Sequence, residues 1–192
     1  MKKLLLIGCG GHCRSVIDVI EQEGAFKISG LVNKTESDLV HIFDYPIIGI
    51  DSDLAKLSLE FDYALITVGQ IRNPKIRIKI FNTLKELGFI LPKIISPRAY
   101  VASNVIIGEG SIIMHDAIIN INASIGTNCI INTKTIVEHD SVIKDHCHLS
   151  TNVTVNGGVT IGEGSFIGSG SITKENIKID KNSFIKAGSI IT

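Results

Sequence analysis

From Ile95 to Ile191 an aliphatic residue returns at every sixth position, and no other feature restricts the fold of this chain as strongly. Sixteen of the seventeen positions carry Ile, Val or Leu, and Thr173 is the exception. Four residues after each comes a mostly small side chain, such as Ala99, Ser111, Cys129, Ser141, Cys147 or Ser165, with Val105, Val153, Val159 and Ile177 as larger members. An α-helix would scatter a period of six around its circumference. A flat strand needs period two, and the loops of a β-sandwich vary in length and would break the phase. A coil with three short faces satisfies the pattern. Each hexapeptide makes one face, the aliphatic residue points inward, and the small residue fits near the corner. Three hexapeptides close a coil, and coils stack through parallel ladders about 4.8 Å apart. Asn156-Gly157-Gly158 and Gly162-Glu163-Gly164 supply residues that tolerate the positive φ of tight corners. Residues 95–192 are expected to be an all-β domain, a parallel β-helix.

Residues 1–94 read as a separate domain. Lys3–Ile7, Phe26–Val32 and Tyr63–Val68 are apolar strands, and Phe89–Ile95 is a strand leading into the repeat. Ser15–Glu23 and Asn73–Leu87 have helical periodicity, the latter with Ile76, Ile80, Leu84 and Leu87 on one stripe. Alternating strands and helices imply a small, Rossmann-like α/β domain with a parallel sheet. Such sheets bind ligands beyond the carboxyl ends of their strands, which singles out the loops Gly8–His12, Asn33–Thr35 and Gly69–Asn73. Gly8, Gly10 and Gly11 let backbone approach a phosphate or a sugar at a helix start. A dinucleotide site competes weakly, because Cys13 stands at the third glycine position and Asn33, not an acid, ends the second strand. A purely structural glycine turn is the plainer alternative.

Composition narrows the partners. Nineteen basic side chains balance nineteen acidic ones, which leaves no electrostatic footprint for nucleic acid or an anionic membrane. Four cysteines without a CxxC pair suit a reduced cytoplasmic compartment. The opening MKKLLLIGCGGH has too short an apolar run for a signal peptide, and no segment reaches membrane-spanning length, so no membrane insertion is expected.

GCGGH at 8–12, the hexapeptide repeat from 95, NTKTIVEHD at 132–140 and HLSTNVTVNGGVTIGEGSFIG at 148–168 together resemble the sialic acid O-acetyltransferase family and its relatives, the N-acetyltransferases acting on nucleotide-linked 4-amino-sugars. The resemblance extends over nearly the whole chain. It implies a left-handed β-helix, a homotrimer, acetyl-CoA as co-substrate bound between adjacent prisms, and a sugar or nucleotide-sugar acceptor held partly by the α/β domain. The setting it implies is surface-glycan biosynthesis. By position, His139 matches the catalytic base and Asp140 the acid beside it. His148 matches a residue reaching the acetyl group of the thioester, and Gly157, Ser169 and Ala187 match the coenzyme groove. Gly10, Gly11 and His12 match the sugar-binding loop, with Asn33 and Gly69 on neighbouring loops. Asn33 departs from a position often acidic in relatives, and relatives usually continue beyond the position of Thr192 into a short tail that helps cover the coenzyme.

Acetyl transfer needs a base for the attacking group and a donor for developing oxyanion charge. An imidazole, which changes charge near neutral pH, suits the first task. Asp140 or Glu138 could orient it. In an alternating strand either neighbour would point away from His139, so Asp140 requires a corner at that point. His148 or a coil amide could serve the oxyanion. Cys147 as a covalent nucleophile competes with a buried structural thiol at the small-residue position. Three readings stand beside amino-sugar N-acetylation. They are O-acetylation of a sialic acid, a zinc hydratase of the γ-carbonic-anhydrase type using His115, His139, His146 and His148, and a non-catalytic β-helix assembly protein. No metal is expected under the acetyltransferase reading.

Overall fold

In a computed structural model, which describes residues 1–192, the chain divides into two compact units. One is Met1–Gly69 with Lys79–Pro92; the other is Gln70–Ile78 with Lys93–Thr192. The segment Gln70–Ile78, which precedes the repeat by some distance in sequence, groups with it.

In the first unit, strand β1 (Lys2–Ile7) is fully apolar and buried from Leu4 onward because it lies inside the sheet. It pairs in parallel with β2 (Phe26–Asn33) on one side and β5 (Tyr63–Ile66) on the other. Beyond β2 lie β4 (Tyr45–Ile50), parallel to it, and β3 (His41–Ile42), antiparallel to β4. The sheet order is β3-β4-β2-β1-β5. The sheet is therefore mixed, where the sequence pattern suggested a parallel one. The β3–β4 hairpin is too short for a periodic signal, and it turns through Phe43 at φ 49°. Helix α1 (Gly11–Glu23) begins earlier than its periodicity implied and buries Cys13, Val16, Ile17, Val19 and Ile20. It ends at Gly24, φ 72°, whose N–H bonds back to Ile20. A short helix, α2 (Leu54–Leu57), precedes β5. Tyr63 forms a single parallel bridge to Ile90, so Phe89–Ile95 is not one continuous strand. Helix α3 (Lys75–Glu86) corrects the expected stripe: Ile76 is 60% exposed while Arg77 is 1% exposed.

The second unit is the β-helix. Seventeen two-residue strands run from Ile94–Ile95 to Ile190–Ile191, one per hexapeptide. They form three parallel sheets of six, six and five strands. The first sheet runs from Ile94–Ile95 to Phe184–Ile185, the second from Tyr100–Val101 to Ile190–Ile191, and the third from Ile106–Ile107 to Lys178–Ile179. Partners are one coil apart, as in Ile112, Ile130, His148, Phe166 and Phe184. The six-residue aliphatic row is the interior, from Ile107 to Ile179 in its fully buried part. Each such side chain contributes about 1.5–3 kcal/mol through burial, which is what holds strands of only two residues in register. Thr173, the polar member, is buried, and its hydroxyl accepts the Asn156 N–H at 2.9 Å.

The small-residue row has a second function besides fitting the corner. Ser111, Thr135, Ser141, Ser165 and Ser171 each donate a hydroxyl to a backbone carbonyl fifteen residues on, at 2.7–3.0 Å. Cys129 and Cys147 do the same through sulfur, at 3.2 Å. The corner itself falls three residues after each inward aliphatic. Asp116, Asn122, Asn128, Lys134, Asp140, His146 and Asn152 there all have φ between 51° and 60°, and Gly158 and Gly164 continue the series. Asn, Asp and Gly dominate because they tolerate this left-handed conformation.

Candidate active site

His139 and Asp140 sit at the corner between the second and third sheets. Because Asp140 has φ 60°, the strand alternation that would separate the two side chains is broken. Nδ1 of His139 lies 2.7 Å from Oδ2 of Asp140. A carboxylate can only accept, so Nδ1 carries a proton in this bond, and in the neutral ring Nε2 is the nitrogen with the lone pair. The His139 ring and the Asn122 amide hold the Asp140 carboxyl below the usual carboxylate range. Glu138, the alternative orienter, accepts instead from Asn120 at 2.9 Å. Gly157, one coil on from His139, lies directly against the ring. A Cβ there would come within 2.8 Å of both Cε1 and Nε2. The glycine is what gives the imidazole its place.

His148 faces outward from the first sheet, 7% exposed. Its Nδ1–H donates to the Gln70 carbonyl at 2.5 Å, and its Nε2 is 3.4 Å from Nδ2 of Asn132. Burial pushes its pKa down to about 4, aided by the nearby Arg77 charge. The ring is neutral at pH 7, with its proton on Nδ1, and so has none on Nε2 to offer an oxyanion. Of the two donors considered from sequence, a coil amide is the one left. The segment above His148 is anchored by Arg77, whose Nη2 donates to Oδ1 and O of Asn128 at 2.6 and 3.2 Å, and by the Gln70 amide, which donates to the His146 carbonyl. Gln70 lies in the loop Gly69–Asn73 that the sequence singled out for ligands, not for covering His148, and Arg77 carried no sequence signal. A buried Arg at a helix start looks the same in sequence as a solvated one.

Ser169 and Ala187 occupy a different corner from His139 and Gly157, the one between the first and second sheets. Ser169 shares a 2.8 Å hydroxyl contact with Ser150, and Ala187 is exposed. A single chain therefore brings His139, Asp140 and Gly157 together but leaves His148, Ser169 and Ala187 elsewhere on the prism.

In the first unit, Gly10 caps α1, and Gly10 and Gly11 both face open space, with nothing within 4 Å of an added Cβ. Gly8, φ 110°, is the glycine the backbone requires, since a side chain there would run into Val68. Buried Thr67 fixes this loop from below, its hydroxyl 2.6 Å from the Gly8 carbonyl. His12, in the first turn of α1, lies 3.7 Å through its Cβ from the place of a side chain on Gly69. Asn33 accepts from the Lys34 N–H and donates to Ser37. It lines a cavity of about 610 Å³ with Thr35, Ser37, Gly49 and Asp53 at the carboxyl ends of β2 and β4.

The competing chemistries fare differently. Cys147 is fully buried, and its hydrogen bond with the Cys129 thiol and its burial push the thiol far above its usual range, so no thiolate forms there near neutral pH. No three His, Cys, Asp or Glu side chains are brought within reach of one metal ion. His139 is engaged with Asp140, His146 with Asn128, His115 with Ser96 and His148 with Gln70.

Residues 3–84 match the family model of the PglD N-terminal domain, and residues 140–174 that of the bacterial transferase hexapeptide, in six repeats. The first match lies mostly on the α/β unit and the second on the β-helix. The acetyltransferase domain of PglB from Neisseria gonorrhoeae FA1090 is 29% identical, with a TM-score of 0.90, over 100% of this chain and 92% of that one. The same domain in complex with acetyl coenzyme A superposes with a TM-score of 0.89, at 29% identity over 99% of this chain and 92% of that one. A mutant of perosamine N-acetyltransferase from Caulobacter crescentus, in complex with CoA and GDP-perosamine, is 27% identical over 100% of this chain and 89% of that one, with a TM-score of 0.91. No curated protein matches the chain. No helix is long and apolar enough to cross a membrane.

Proposed function

We propose that the chain transfers the acetyl group of acetyl-CoA to the amino group of a nucleotide-linked amino-sugar, in surface-glycan biosynthesis, with His139 as base and Asp140 as its orienting carboxylate. The observation that carries this is the His139–Asp140 pair set against Gly157, in which the bond to Asp140 occupies Nδ1 and leaves Nε2 as the basic nitrogen of the neutral ring. The thioester supplies an activated acyl carbon. The neutral amine attacks that carbon and forms the C–N bond, His139 takes the nitrogen's proton at Nε2, and Asp140 stabilises the imidazolium that results. The C–S bond then breaks, and CoA leaves as the thiol with the proton that the imidazolium returns. Full-length likeness to acetyltransferases, one of them bound to CoA and GDP-perosamine, supports the reaction and the acceptor class. The open backbone at Gly10 and Gly11 beside His12, with Asn33 and Gly69 on the adjoining loops, suits the acceptor.

The active unit in this proposal is a homotrimer. The outward row of the second sheet is Tyr100, Ile118, Ile136, Thr154, Ile172 and Ile190, and Tyr100, Ile172 and Ile190 are 60%, 46% and 80% exposed in the single chain. The two corners bordering that sheet hold His139 with Gly157, and Ser169 with Ala187. Turning the second sheet of three copies toward a common axis sets one copy's His139 corner beside a neighbour's Ser169–Ala187 corner. That arrangement forms the coenzyme groove a single chain lacks. All four cysteines are free, which suits the cytoplasm.

The test is acetyl transfer from radiolabelled acetyl-CoA to UDP- and GDP-linked 4-amino-sugars, with free and CMP-activated sialic acid in parallel. Labelled amide product with one of the amino-sugars is expected, and His139→Ala should lower turnover about a hundredfold or more while leaving acetyl-CoA binding intact. Turnover within tenfold of wild type would remove His139 from the role. Labelling of sialic acid alone would move the acceptor to a hydroxyl.

A further inference from the structure

Asn122 stands one coil before Asp140 in the same corner, and both residues have left-handed backbone, φ 58° and 60°. Nδ2 of Asn122 donates to Oδ1 of Asp140 at 3.1 Å, the carboxylate oxygen that His139 does not use. Asn122 is itself held from below: its N–H donates to Oδ1 of Asn104 at 3.2 Å, and its Oδ1 accepts from the Asn104 amide. The next residue of the corner after Asp140 is Gly158, which has no side chain to donate from above. The carboxylate therefore takes its side-chain bonds from one amide below and one imidazole beside it. A carboxylate bonded at both oxygens cannot rotate without losing one of them. Oδ1 on Asn122 is what leaves Oδ2 aimed at Nδ1 of His139.

We infer that Asn122 is a positioning residue for the reaction, acting through Asp140 to hold His139 in the tautomer whose Nε2 can accept a proton. The inference rests on the proposed role of His139 as base. Asp140 and His139 are both more than half exposed, so without the amide the carboxylate turns in water. Nδ1 then shares its proton with solvent, and rings carrying the proton on Nε2, which cannot act as base, become populated.

Asn122→Gly removes the amide while keeping a residue suited to positive φ. Asn122→Asp keeps the shape but sets a carboxylate against Asp140. The readouts are kcat, the KM for acetyl-CoA, and the ¹⁵N shifts of the His139 ring above pH 8, its signals identified by their loss in His139→Ala. Asn122→Gly is expected to lower kcat about threefold to tenfold, the scale of one hydrogen bond to a charged group at a wet site, with KM unchanged and a mixed-tautomer ring. Asn122→Asp should lower kcat further. In an Asp140→Asn background, Asn122→Gly should add nothing. Melting temperatures near wild type would separate these effects from loss of the coil. An inactive His139→Ala together with wild-type kcat and tautomer in both Asn122 variants would overturn the inference and leave the base intact. Full turnover in His139→Ala would instead overturn the base, and the tautomer readout would then carry no catalytic meaning for Asn122.

Discussion

At Gly157 the absence of a side chain is what leaves room for the proposed base. An added methyl would stand 2.8 Å from Cε1 and Nε2 of His139. The ring is more than half exposed and has room to swing aside, so Gly157→Ala should fold and assemble normally and yet lose activity. A displacement on this scale costs about a hundredfold when it moves the base off line, and kcat with an unchanged melting temperature is the measurement. His148 gives the opposite kind of residue-scale effect, one on stability. Its folded pKa is pushed down to about 4 from the ordinary imidazole value of 6.5, so between those values the unfolded chain binds the proton and the folded chain does not. Stability is therefore full above pH 6.5 and falls as the pH drops toward 4, by on the order of 3 kcal/mol if this group alone is counted. His146, also depressed by burial, acts in the same direction. Urea unfolding of wild type and His148→Asn at pH 7 and pH 5 should show a smaller pH dependence in the variant.

At the scale of elements, the segment Gln70–Ile78 decides what the first sheet presents. It covers His148 with a backbone carbonyl and is pinned by the Arg77 guanidinium on Asn128. Arg77→Ala removes both charged hydrogen bonds and leaves Oδ1 of Asn128 without that donor in a buried place. The expected cost is roughly 2–3 kcal/mol, read as a fall in denaturation midpoint, with faster amide exchange at Gln70–Ile78 than in the coils. This element also separates what was legible in sequence from what was not. The hexapeptide row announced each of its two-residue strands, because inward position is a matter of phase alone. The stripe through Ile76, Ile80, Leu84 and Leu87 misled, because α3 buries Arg77 and exposes Ile76. Periodicity ranks residues by hydropathy and cannot anticipate that an asparagine carbonyl on another coil will accept a guanidinium.

At the scale of the whole molecule, the second sheet has an inward face common to the β-helix and an outward face that is apolar as well. Ile172→Asp combined with Ile190→Asp places charges at the C-terminal end of the proposed threefold contact. Light scattering should then report monomer for the variant and trimer for the wild type, and activity should be lost although the coil interior is untouched. A trimer that survives both substitutions would require another face for assembly.

The sequence by itself determined the β-helix, its three faces and the position of every inward side chain, because a strict period of six admits one way of hiding its aliphatic row. Through its resemblance to a family it also pointed to His139 and Asp140 as base and acid, and to Gly157, with Ser169 and Ala187, as part of a coenzyme groove. Only the tertiary structure decided that Asp140 turns toward His139, through a left-handed corner at φ 60°, and that Glu138 turns away to Asn120. The same holds for the tautomer of His148, set by a carbonyl seventy-eight residues distant, and for the mixed sheet of the first unit. For Asp140 the deciding quantity is a backbone angle that residue type permits but does not dictate, and for His148 it is a partner brought close only by folding.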